Sequence, residues 1–400
     1  MPIFRPYRTA RDIFSNLSLR ETPKAASFQS KMPALWTDTE ALLNDHIRAL
    51  SPNQPLSIDT EADSMHHYEE SVCLLTVGQG ETTLLIDSLA LQDLSPFWKT
   101  ASVTEWILHG ADFDLRLMRR LGAPEPASVF DTMLAAQLCG IKSFGYAALV
   151  ELYFGIKLDK ANQREDWSLR PLTSSMLDYA AQDVAYLGGL RETLTNRLKE
   201  LNRLSWHLES SSRVVQTSKI SREVDPDEVW RIGHNNKLQG TAQAIVKELW
   251  HWRESEAQNQ DVPPFKVMNN DRLLELAEWV DTNREASHFP GFLLPRNCRG
   301  ERMDHLRQAI ERGKIASPIP PLARMPRSKL DPVAIKRAET IKTGRDLLAK
   351  ELDIDPSLLA SKLIITALSR DPAEAAIKLI SENRWCPWQF DLLKPILATF

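Results

Sequence analysis

Apolar and polar positions follow two regimes along this chain. In the first half, short apolar runs of strand length are interleaved with helical spacings, whereas beyond about Glu223 only helical spacings occur. Leu56, Ser57, Ile58, Asp59, Thr60 and Glu61 read as a β-leaning strand, and Trp106, Ile107, Leu108 and His109 as a short buried one. Gly110 ends the latter, and residues 111–121 carry helical apolar spacing at Phe113, Leu117, Met118 and Leu121. After Pro171, Thr173 is a good N-cap. From Ser174 the spacing of Met176, Leu177, Ala180, Val184, Leu187 and Leu190 predicts one long amphipathic helix. In the second half Trp230, Leu238, Ala242, Ile245, Leu249 and Trp252 recur at helical intervals, Pro263 and Pro264 interrupt them, and another helix starts at Asp271. A Pro-rich stretch follows, with helical spacing again from Asp331. No apolar run approaches the roughly 18 residues that span a bilayer, so no membrane association is expected.

Polar chemistry stands at particular places in this pattern. Asp59 and Glu61, two apart on a strand, point to one face, and carboxylates held that close repel unless a cation lies between them. Asp114 falls in the first turn of the helix after Gly110; acids there also complement the helix dipole without any ligand, a reading that covers Asp112. Tyr179 and Asp183 share a helix face one turn apart. Four carboxylates can hold two divalent ions about 3.5 to 4 Å apart, the arrangement used for phosphodiester hydrolysis, and a tyrosine hydroxyl beside them can orient or help deprotonate a water.

The stretches IDTE, HGADFDL and DYAAQDVAYL, in this order, resemble the three motifs of the DEDD superfamily of 3′-to-5′ exonucleases, in its tyrosine-containing branch. The segment LDKANQREDWSLRPLTSSMLDYAAQDVAYL resembles ribonuclease D more specifically, and VPPFKVMNND resembles the interhelical loop of an HRDC domain. The resemblance implies an α/β ribonuclease-H-like exonuclease domain, a mixed sheet flanked by helices, followed by all-α HRDC-type helical domains. By matching position it makes Asp59, Glu61, Asp114 and Asp183 metal ligands for two divalent ions, Mg²⁺ or Mn²⁺, and Tyr179 the water-positioning residue. It implies a 3′-to-5′ exoribonuclease that trims structured RNA such as tRNA precursors and releases nucleoside 5′-monophosphates. A DNA 3′-to-5′ exonuclease and a catalytically weak RNA-binding scaffold are the alternatives. The expected organisation is a lead-in at 1–30, the exonuclease at 31–213, an HRDC domain at 223–312, a Pro-rich linker at 313–328 and a second HRDC-like module at 329–400.

Candidate substrate contacts are Thr60, His109, Trp167 and Arg170. A Trp face and a guanidinium before the Tyr179 helix could stack on and pair with a terminal nucleotide, or fill a core corner and make a surface ion pair. His109 either lines the site or is a satisfied structural histidine. Asp131 reads as the N-cap of the following helix. After Glu61 the chain departs from the ribonuclease D pattern, with Ala62 to Tyr68 where aromatic and Pro residues are usual. His66 and His67 there read as a loop pair, because neighbours on a strand face opposite ways and do not easily serve one ion.

Composition narrows the setting. With 43% hydrophobic residues the 400-residue chain can build two to three compact cores. Cys73, Cys139, Cys298 and Cys386 are widely separated, without zinc spacing, and read as reduced, buried thiols of a cytoplasmic protein. A net charge of −4 says little about RNA binding, since metal-binding acids count as negative until ions neutralise them. Arg191, Arg197, Lys199, Arg203, Arg213, Lys219 and Arg222 either track an RNA backbone or solubilise helices. The tryptophans of the second half read as packing anchors. The absence of a Gly-rich phosphate loop from the sequence excludes an ATP-driven helicase, and a monomer is expected.

Overall fold

The computed structural model describes residues 34–159, 161–220, 225–233, 238–286, 288–296, 298–320 and 331–400. The lead-in at 1–30 and residues 321–328 of the Pro-rich stretch lie outside the described residues. The chain forms two compact units. One combines residues up to 62, 72–221 and 330–400, and the other combines 63–71 with 222–329.

The first unit is built on a six-stranded mixed sheet in the order β1-β4-β3-β2-β5-β6. Its strands are β1 (Ala34–Thr37), β2 (Leu56–Ala62), β3 (Val72–Gln79), β4 (Thr82–Asp87), β5 (Glu105–Leu108) and β6 (Ser128–Asp131). β2 to β4 form an antiparallel meander, while β1 joins β4, and β5 joins both β2 and β6, in parallel. The period-2 alternation of β2 sends Leu56 and Ile58 into a core with Leu75, Val77, Phe97 and Leu115. That core is covered by α1 (Glu40–Ile47), α2 (Ser95–Ala101) and α3 (Asp112–Arg120).

The opposite face carries α4 (Thr132–Leu138), α5 (Tyr146–Phe154), α6 (Ser174–Ala185) and α7 (Leu187–Glu200), and α8 (Leu204–Thr217) runs along β6 with Trp206 in this second core and Val215 in the first. α6 lies across β2, β3 and β4. It approaches closely because Gly78 has no side chain: a Cβ there would stand 3.1 Å from Val184 Cγ2. Thr173 caps α6 by accepting from the Met176 amide. The helix expected to continue through Leu190 instead breaks at Tyr186, for a reason that lies in α5.

The second unit packs α9 (Thr241–Asn259), α10 (Pro264–Val267), α11 (Asn270–Thr282) and α12 (Glu301–Ile315) around Trp230, Ile245, Leu249, Leu276, Leu306 and Ile310. α12 extends three residues into the segment read as linker, because Gly313 seats directly on Ile245, where a Cβ would stand 2.6 Å from its Cα. His67 pairs with Asp261 at 2.7 Å.

The final helices are α13 (Pro332–Leu352), α14 (Lys362–Arg370), α15 (Pro372–Ser381) and α16 (Pro387–Leu397). They belong to the nuclease unit and share its core: Trp388 stacks on Trp206 at 4.7 Å and donates its indole N–H to Ser210. Arg203, a candidate for tracking RNA, is instead completely buried and donates to the Leu138 and Leu352 carbonyls at 2.7 Å each. Arg191 likewise pairs with Glu105, and Lys219 with Glu125. Trp230, Trp252, Trp385 and Trp388 are all buried, as expected of packing anchors, and the four cysteines are buried as well. Among the described residues no helix is long and apolar enough to cross a membrane.

Candidate active site

Asp59 and Glu61 leave β2 on the face covered by α6, opposite Thr76 and Leu74 of β3. The i and i+4 positions of α6 bring Tyr179 and Asp183 to the same place. Carboxylate oxygens of Asp59, Glu61 and Asp183 all lie within 4.8 Å of one another. The Tyr179 hydroxyl bonds to Asp183.

Asp114 enters from the first turn of α3. It accepts a 2.5 Å hydrogen bond from the Thr60 hydroxyl, on the other face of β2 from Asp59. The turn into α3 is fixed twice. Gly110 takes φ +80°, a conformation that disfavours side chains, and Asp131 accepts from the amides of Gly110 and Ala111 at 3.0 Å each. Asp131 also accepts from Met133 and Leu134, so the expected N-cap of α4 holds the start of α3 as well.

Electrostatics record the crowding. Burial and then the charges of Asp114, Asp183 and Glu61 raise the Asp59 carboxyl well above the carboxylate range. Burial, then Asp183 and Asp114, push Glu61 to about 9. Burial raises Asp114 and Asp183 to about 6 each, against the hydrogen bonds from Thr60 and Tyr179. Burial, with the charges of Asp183 and Glu61, also holds the Tyr179 phenol far above its ordinary value, so it keeps its proton. Acidic oxygens this close, each resisting ionisation, fit a hard divalent cation, which would neutralise them with oxygen ligands.

Three of the expected substrate contacts are committed elsewhere. The Thr60 hydroxyl serves Asp114. Trp167 is 1% exposed, in a core with Leu74, Met176 and Ala180, so its faces are not available for stacking on a base. Arg170 spends all five guanidinium donors: two on Asp87 at 2.7 Å each, the others on the carbonyls of Cys73, Trp167 and Leu169. Burial alone would raise Asp87, but the Arg170 bonds and charge outweigh it and hold the carboxyl below its ordinary value. This pair ties the segment before α6 to the end of β4. His109 is half-buried, with Nδ1 2.9 Å from the Thr132 hydroxyl and its ring 5.7 Å from that of Tyr146; burial lowers its pKa. The sequence pattern did not single out Tyr146.

Comparison with known proteins agrees with this geometry. A 3′-5′ exonuclease family matches residues 35–199, and the HRDC domain family matches 242–286. Ribonuclease D of Psychromonas ingrahamii is 32% identical over 335 residues, which cover 82% of this chain and 88% of that protein. The chain belongs to the ribonuclease D family. Ribonuclease D of Shewanella sp. is 33% identical over 246 residues, a match that spans 63% of its length. The crystal structure of Escherichia coli RNase D superposes with a TM-score of 0.65 at 24% identity, over 92% of this chain and all of that one, and so shares the fold. A protein from Bifidobacterium adolescentis superposes at 0.69 with 21% identity, over 92% of this chain and 96% of its own. The nuclease unit is thus that of a ribonuclease D, a metal-dependent 3′-to-5′ exoribonuclease, and its substrate is nucleic acid.

Proposed function

We propose that this ribonuclease D removes nucleotides one at a time from the 3′ ends of structured RNA such as tRNA precursors, using two divalent ions, Mg²⁺ or Mn²⁺. The reading rests on one observation, the convergence of Asp59, Glu61 and Asp183 oxygens within 4.8 Å on the helix face that also carries Tyr179. Those three carboxylates would hold one ion. Asp114, whose charge acts on Asp59, would hold a second together with Asp59. When bound, the ions supply an activated water and neutralise the leaving oxygen.

The residues of the chain do the positioning. Tyr179 donates to Asp183, which leaves its oxygen lone pairs to accept from the attacking water and aim it at the terminal phosphorus. Water oxygen bonds to phosphorus, the 3′ oxygen of the penultimate nucleotide leaves with a proton, and a nucleoside 5′-monophosphate is released. Thr60 fixes Asp114, and Arg170 with Asp87 fixes the approach to α6. The enzyme acts as a cytoplasmic monomer, with the HRDC unit and the related helices after Asp331 contributing affinity for RNA.

A ladder assay on a 3′-tailed structured RNA and its DNA counterpart, with Mn²⁺, with Mg²⁺ and with chelator, tests the proposal. Stepwise RNA shortening that chelator abolishes is expected. Equal rates on DNA would replace the substrate, and no shortening in any lane would leave a binding scaffold.

A further inference from the structure

The break in the helix that carries Tyr179 and Asp183 has an identifiable cause. In an uninterrupted helix the Tyr186 amide would bond to the Gln182 carbonyl, four residues back. Here a side chain from another helix stands between them. The Tyr146 hydroxyl accepts from the Tyr186 amide at 3.2 Å and donates to the Gln182 carbonyl at 2.8 Å. The Tyr186 amide also leans on the Val184 carbonyl, and Tyr186 takes φ −107°, ψ −3°, which ends α6. A group inserted into the helical ladder is one of the few causes of a sharp helix break. Neither Pro nor Gly occupies residues 182–186.

Asp183 lies inside this insertion, between its two backbone anchors. Tyr146 is in turn fixed on both sides. It opens α5 directly after Gly145, and its ring packs on His109 at the end of β5. At the other end of α5, Phe154 packs on the Tyr186 ring at 5.7 Å. One short helix therefore braces the break through backbone and side chain together.

We propose that Tyr146 is a positioning residue for the hydrolysis: its hydroxyl, spliced between Gln182 and Tyr186, sets the helix break that holds the Asp183 carboxylate toward Asp59 and Glu61. This rests on the role proposed for Asp183 as a metal ligand. Without the hydroxyl the two backbone groups can close into an ordinary helical bond, which turns the residue between them. Groups that orient metal ligands from behind typically contribute 10- to 100-fold in metal affinity.

The test is Mn²⁺ binding by titration calorimetry on the full chain without RNA, for wild type, Tyr146→Phe, Tyr153→Phe and Asp183→Asn. Tyr146→Phe should weaken Mn²⁺ binding about 10-fold and lower kcat with KM for RNA unchanged. Tyr153→Phe removes a hydroxyl elsewhere in α5 and should change neither. Wild-type affinity in folded Tyr146→Phe overturns the proposal, provided that Asp183→Asn weakens binding. Unchanged binding in Asp183→Asn overturns the underlying reading instead. Should Tyr146→Phe fail to fold, hydrogen exchange in the wild-type chain decides: the Tyr186 amide must be protected, and exchange at the rate of a free loop refutes the splice.

Discussion

Asp59→Asn should abolish hydrolysis and at the same time stabilise the metal-free protein. Asp59 stands among Glu61, Asp114 and Asp183, and in the absence of metal every one of these carboxyls is pushed upward. A carboxyl raised on folding binds its proton more tightly in the native chain than in the unfolded one, so stability falls as pH rises between the two values. For Asp183, raised from 3.8 to about 6, the whole loss is about 3 kcal/mol at roughly 1.4 kcal/mol per tenfold in proton affinity, of which about 1 kcal/mol falls above pH 5.5, complete near pH 7; Glu61 carries most of the change from there to pH 8. Asp114 titrates over the same window, and Glu61 extends it towards 9. These groups interact, so their losses do not simply add. Asp87 is shifted the other way; its contribution is present above pH 4 and is lost only in more acid solution, outside this window. For a folding unit of this size 1 kcal/mol moves Tm by about 2 °C, so the metal-free wild type should melt about 5 to 10 °C lower at pH 8 than at pH 5.5. Saturating Mn²⁺ should recover most of the difference at pH 8. Asp59→Asn, with one charge fewer, should flatten the metal-free profile and respond less to Mn²⁺. Melting curves by circular dichroism from pH 5 to 8.5, in chelator and in Mn²⁺, measure all of this. A metal-free wild type whose Tm is level or rises across this range refutes the reasoning, as does an Asp59→Asn that melts below wild type at pH 8.

Two further substitutions separate chemistry from scaffold. Tyr179→Phe should lower kcat by about 10²-fold, the usual contribution of a positioned proton-handling group, with Mn²⁺ affinity within a few-fold of wild type; an unchanged kcat would leave Tyr179 a packing residue. Arg170→Lys keeps the charge but loses the planar fork to Asp87, so stability should fall by about 2 to 4 kcal/mol in urea unfolding, while KM for single-stranded RNA at permissive temperature stays near wild type. A raised KM with normal stability would return Arg170 to the substrate.

What could be read from the sequence was whatever depends on local periodicity. Asp59 and Glu61 share a face because strands alternate, Tyr179 and Asp183 because helices return every turn, and Asp114 follows a glycine that ends a strand. Partners set by topology left no such trace. Arg170 and Asp87 are 83 residues apart, and an Arg three residues after a Trp ahead of α6 carries the same letters whether it meets a nucleotide or a carboxylate. The break at Tyr186 was hidden for the same reason. Apolar spacing runs unbroken from Met176 to Leu190, and the group that interrupts the helix arrives from Tyr146, 40 residues away.

Helical spacing also failed to separate the two helical segments of the second half, although they have different surroundings. The 242–286 region lies in a unit with its own core. Residues from 331 onward have a small core of their own around Ile341, Leu368 and Trp385, but also give Leu352, Leu359 and Trp388 to the nuclease core, and the contact is made at backbone level: a Cβ on Gly140 would stand 2.5 Å from the Asp353 carbonyl oxygen. Arg203 spans the same junction, one bond to the Leu138 carbonyl and one to that of Leu352, with no exposed surface. A charged group buried without its acceptors is costly, so the nuclease helices Thr132–Leu138 and Leu204–Thr217 are adapted to the presence of this last segment. From α8 the connection continues inward: His207 lies 3.1 Å from the Asp131 carbonyl oxygen, and the Asp131 carboxylate holds the amides that begin the helix of Asp114. The C-terminal helices are therefore joined to the end of the sheet that carries the acidic cluster through packed and hydrogen-bonded groups.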